Sequence, residues 1–131
     1  MSEEKSPARP PLEFVRLENF KSTYSNNVQF EVTSTDLKII FGQFDQHTKK
    51  AIVEQQAAVT LSWMQVKLLS YSLRVNLAFY EILNGKINIT KDLLPPLPPP
   101  LPSELENNPQ AQAGLEAVLK VREEFLSSLQ S

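Results

Sequence analysis

Between residues 28 and 33 the chain alternates. Val28, Phe30 and Val32 fall on one side, Gln29 and Glu31 on the other. A period of two predicts a half-buried strand. Thr33-Ser34-Thr35-Asp36 is a turn of short polar side chains. Residues 37–43 return with Leu37, Ile39 and Phe41 on one face, and Gly42 marks a bulge or a close backbone approach. Residues 52–61 predict a third strand, with Val53, Gln55, Ala57, Val59 and Leu61 sharing a face. The short connections favour an antiparallel meander. Phe14, Val15, Leu17 and Phe20 offer a fourth, edge strand over residues 12–20.

The period then switches. At about 100° per residue, Val66, Leu69, Leu73, Leu77 and Tyr80 form one stripe of a helix over 63–84. Met64, Leu68, Tyr71, Val75, Phe79 and Ile82 form a second stripe, roughly 180° away. An ordinary surface helix has one apolar stripe and one wet face. Ser62 is placed to cap this helix with Gln65 three residues on, and Asn84-Gly85 is a left-handed stop. After an extended stretch over 86–90 comes Pro95-Pro96-Leu97-Pro98-Pro99-Pro100-Leu101-Pro102, which predicts stiff polyproline II. Asn108-Pro109 then opens an amphipathic helix carrying Leu115, Val118, Leu119, Phe125, Leu126 and Leu129.

These elements predict an α+β fold: an antiparallel sheet of three or four strands packed on one long helix, plus a C-terminal helix after a proline-rich spacer. The expected organisation is a disordered tail (1–11), an α+β domain (12–92), a proline-rich linker (93–108) and the C-terminal helix (109–131). The 131 residues suit one modest core with tails. A net charge of −2 gives no electrostatic reason to expect nucleic acid. The chain contains no cysteine, which excludes disulfides and thiol chemistry and suits a reducing compartment. Without an apolar leader or a membrane-length apolar run, a soluble cytoplasmic protein is expected.

Candidate chemistry is sparse. His47 is the single histidine, set among lysines in a polar loop with no second imidazole. No serine therefore has a base to itself, and three glycines, Gly42, Gly85 and Gly114, cannot form a phosphate loop. No catalytic, cofactor or metal residues are assigned, and no enzyme is expected. The surface that stands out is the second helix stripe, Met64 through Ile82, read as the contact of a homodimer or tetramer. The cover available without a partner is the C-terminal helix. The proline tract, residues 95–102, reads as a spacer or as a ligand for a polyproline-binding domain, although its flanks are acidic, Asp92 and Glu104. The expected activity is non-enzymatic binding or scaffolding, the alternative a chaperone-like module holding extended segments.

Tyr24-Ser25-Asn26, the alternation after it, and Ser34-Thr35-Asp36-Leu37 leading into Ile40-Phe41-Gly42 resemble the small bacterial proteins of domain-of-unknown-function family 3467. Val59-Thr60-Leu61-Ser62 before a long helix ending in Phe79-Tyr80-Glu81 and Gly85 is similar to the same family, so the resemblance spans residues 22–90. Members typically have proline after the cap, where this chain has Trp63. The resemblance implies no activity. The order of strands and helix is also similar to that of the SecB export chaperone, at the level of the fold alone.

Overall fold

The computed structural model describes residues 9–45 and 51–129. Most of the expected tail, residues 1–8, and the His47 loop, residues 46–50, lie outside the described residues. The fold is α+β, with one three-stranded antiparallel sheet and two helices. The chain divides into two compact units, Met1–Val66 and Lys67–Ser131.

In the first unit, β1 (Asn27–Val32), β2 (Asp36–Phe44) and β3 (Val53–Ser62) lie in the order β1-β2-β3. Their register stacks the alternation of each strand onto one face. Val28 pairs with Phe41, Phe30 with Ile39 and Val32 with Leu37. On the other side of β2, Leu37 pairs with Leu61, Ile39 with Val59 and Phe41 with Ala57. Leu37 and Ile39, in the middle strand, are the buried hydrophobic residues of the described chain. The flanking Phe30, Val32 and Val59 stay exposed.

A β-bulge interrupts the β2–β3 ladder at Phe41/Gly42. Beyond it Gln55 pairs with Gly42 and Val53 with Phe44, so the shared face expected for residues 53–61 of β3 does not extend to Val53 and Gln55. The extra residue reverses the alternation there. Gln55 accordingly donates to Gln29, on the polar side of β1, at 3.3 Å. Gly42 is required by close approach: a Cβ would lie 2.7 Å from Val53 Cγ1 and 2.9 Å from the Glu54 carbonyl oxygen.

Side chains extend the ladder where backbone cannot. The Asn26 amide group both donates to the Phe44 carbonyl (3.1 Å) and accepts from the Phe44 N–H (2.7 Å), adding a rung. Ser25 Oγ donates to the Gly42 carbonyl at 2.8 Å. In the β1–β2 turn, Thr33 Oγ1 accepts the N–H groups of Thr35 and Asp36. The Trp63 indole N–H then donates to the Thr33 carbonyl at 3.0 Å. Residues 12–20 form no strand. Their one local feature is a turn in which the Phe20 N–H reaches the Leu17 carbonyl, with the Arg16 guanidinium over the Phe20 ring. Among the described residues, strand-forming side chains there find no neighbouring strand to complete a ladder.

Helix α1 (Trp63–Asn84) has the predicted bounds. Ser62 Oγ accepts the Gln65 N–H at 3.3 Å, and Gly85 adopts φ 87° as its N–H reaches the Glu81 carbonyl. In the second unit the Glu81 carboxylate accepts the Ile87 N–H at 2.9 Å, fixing the chain reversal after α1. Leu94 (φ −65°, ψ 141°) and Pro102 (φ −57°, ψ 149°) have polyproline II geometry at the two ends of the proline tract. Helix α2 (Pro109–Ser128) starts as predicted: Asn108 Oδ1 accepts from the N–H groups of Gln110 and Ala111, with Pro109 in the first turn.

Candidate functional site

No residue of α1 is buried. The first stripe runs from half-buried Val66 and exposed Leu69 (37%) to Leu73 and Tyr80, each 54% exposed. The second stripe is more open, at 70% for Tyr71, 66% for Phe79 and 81% for Ile82. Helix α2 belongs to the same unit as residues 67–84, and it leaves neither stripe closed. The six residues of the second stripe expose on the order of 800 Å² together, scaled from the ~150–250 Å² of a large aromatic side chain. One side of a standard protein–protein interface is about 800 Å².

The polar residues of α1 reinforce this division. Its three charges, Lys67, Arg74 and Glu81, recur every seven residues along a single seam. The second stripe therefore carries no charge over six turns. Glu81 is engaged by the Ile87 N–H of its own chain. Met64, Leu68, Tyr71, Val75, Ala78 and Ile82 follow one another at intervals of four, three, four, three and four. That alternation is the seam spacing of two helices packed side by side.

The proline tract makes a second surface. Pro95, Pro96 and Pro98 form one wall of a groove of about 470 Å³, and Val118, Val121 and Phe125 of α2 form the other. Arg122 joins the walls, its Nε–H donating to the Pro95 carbonyl at 3.1 Å. Leu101 is half-buried and Leu97 is 68% exposed. Sequence reasoning passed over Arg122, yet the signal was present. Its neighbours three and four residues away, Val118, Leu119, Phe125 and Leu126, are all apolar, an unusual setting for a guanidinium.

Among the described residues, no three His, Cys, Asp or Glu side chains group as metal ligands. No helix among them is long and apolar enough to cross a membrane. Neither the curated proteins nor the solved structures searched yield a match. The family model of DUF3467, a protein of unknown function, matches residues 1–89, about two thirds of the chain and all of the sheet and α1. The chain belongs to the DUF3467 family.

Proposed function

We propose that the protein is a non-enzymatic binding or scaffold protein of the bacterial cytoplasm, working as a homodimer closed by α1 against α1 of a second copy. The observation carrying this reading is the second stripe: uncharged, unburied and, with Ala78 beside Phe79, matched to a four-three-four-three-four seam. Its exposed area is of the same order as one side of a standard interface. Two apolar side chains buried in the described sheet are a small return for ordering a chain at about 1–2 kcal/mol of backbone entropy per residue. Association supplies the missing burial.

Light scattering at micromolar concentration tests the reading, with a dimer mass expected. Phe79→Asp should yield monomer, and Phe79→Ala a weakened dimer. Apparent Tm should also rise by roughly 2–3 °C per tenfold rise in concentration, as expected for a dimer of this length at about 2.1 cal/mol/K of unfolding entropy per residue. A monomeric wild type, or a Phe79→Asp variant that remains fully dimeric, overturns it.

The chaperone-like alternative draws on a different observation. The apolar sheet face keeps Val28, Phe30, Val32 and Val59 exposed, and β1 and β3 are unpaired edges. Extended clients add to such edges. Suppressed aggregation of an unfolded client by the Phe79→Asp monomer would favour this alternative over the scaffold.

A further inference from the structure

The groove between the proline tract and α2 lies wholly within the second unit, and its chemistry is lopsided. The proline wall offers carbonyl acceptors and no N–H donors at Pro95, Pro96 and Pro98. Arg122 offers donors only. Its Nε–H is taken by Pro95, which fixes the plane of the guanidinium. Arg122 has no carboxylate partner among the described residues. A half-buried cation with apolar neighbours on its helix face is matched by an anion that arrives with apolar flanks. The ligand therefore needs a carboxylate for the free Nη donors, backbone N–H groups for the proline carbonyls, and apolar side chains for Val118, Val121 and Phe125.

Leu17-Glu18-Asn19-Phe20 has the composition, but its backbone is closed into a turn and Arg16 covers Phe20; the segment before it has all three and is open. Residues 12–15 are Leu12-Glu13-Phe14-Val15, outside any helix or strand, with Leu12 83% and Phe14 89% exposed. Glu13 lies between them, with no salt bridge among the described residues. We propose that this segment of a second copy is the occupant of the groove, with the Glu13 carboxylate on Arg122 and Leu12 and Phe14 against the apolar walls. Two such straps, exchanged symmetrically, would close a dimer. The polyproline tract is then the receptor and not the ligand.

The absence of cysteine allows a clean test. Chains carrying Phe14→Cys and chains carrying Val121→Cys are mixed and mildly oxidised, and disulfide-linked peptides are identified by mass spectrometry. Each chain then has one thiol, so a 14–121 link forms only between copies. The 14–121 link should exceed the 14–14 and 121–121 links several-fold. Adding Glu13→Gln or Arg122→Gln should lower its yield about tenfold, the weight of a charge-assisted hydrogen bond. Random pairing of the three links overturns the proposal, as does a yield unaffected by either charge removal. A chain with both cysteines that closes only on itself also overturns it, since the strap then occupies its own copy's groove. The proposal shares only the second copy with the α1 reading. A dimer without the 14–121 link sinks the strap alone; a dimer that shows the link, is lost in Arg122→Gln and is unweakened in Phe79→Asp sinks the α1 contact alone.

Discussion

Replacing Gly42 by alanine should weaken the sheet, and the geometry sets the size of the effect. The added Cβ would sit 2.7 Å from Val53 Cγ1, 2.9 Å from the Glu54 carbonyl oxygen and 3.4 Å from Gln55 Cα. The first contact yields if Val53 changes rotamer. The second is with backbone held by the bulge, so β3 must move by several tenths of an ångström. Overpacking of this kind costs about 1–3 kcal/mol. Gly42 has no positive φ, so alanine returns about 0.4–1 kcal/mol by narrowing the unfolded ensemble. The net expectation is a loss of about 1–2 kcal/mol. Urea unfolding at fixed protein concentration, followed by the fluorescence of the single tryptophan Trp63, measures it. Pairing Gly42→Ala with Val53→Ala in a double-mutant cycle should recover part of the loss, because it removes the side-chain clash and leaves the backbone one. A Gly42→Ala protein with a midpoint equal to or above wild type would refute the close-approach argument.

Two further substitutions probe the connections around this sheet and α2. Trp63→Phe removes the indole donor to the Thr33 carbonyl and should cost about 1 kcal/mol, read as a lowered urea midpoint by circular dichroism; no change would mean that water replaces the indole at no loss. Asn108→Ala removes the acceptor for two N–H groups at the start of α2 and should cost about 1 kcal/mol, with Asn108→Asp close to wild type; equal thermal curves for alanine and aspartate would remove the cap from the account.

Most of the element boundaries were readable because local chemistry and tertiary structure agree at those points. Ser62, Gly85 and Asn108-Pro109 each act through backbone groups within a turn of themselves, so spacing alone located them. The alternation of β1 and β2 was readable for the same reason: one face of each strand is apolar and the pleat has period two. At Val53 and Gln55 that reasoning failed. A bulge adds one residue to one strand without any mark in that strand's own sequence, and the mark it did leave, Gly42, lies on the neighbour. Residues 12–20 failed differently. Their side chains suit a strand, but a strand is a property of two segments, and among the described residues no second segment pairs with them. The groove was the least readable feature. Which side of a proline tract meets which side of a helix depends on packing between segments more than twenty residues apart, and Arg122 to Pro95 is the bond that reveals it.

The sheet and α1 raise the same physical question from opposite directions. The sheet gathers nine apolar residues onto one face and buries two of them, Leu37 and Ile39. The helix gathers two stripes and buries none. The apolar patterning is regular and the strand register honours it, yet these faces carry more apolar surface than the described residues bury. In the proposed dimer, assembly and folding draw on the same free energy, because whatever binds the native form alone stabilises it by mass action. In the proposed dimer a charge placed on the second stripe would act twice, removing the contact and lowering the apparent stability of the copy that carries it. A charge on the seam of Lys67, Arg74 and Glu81 does neither directly. That contrast tests the proposed dimer: a charge on the uncharged stripe should lower both the dimer mass and the apparent Tm, and a charge change on the seam should leave both near wild type.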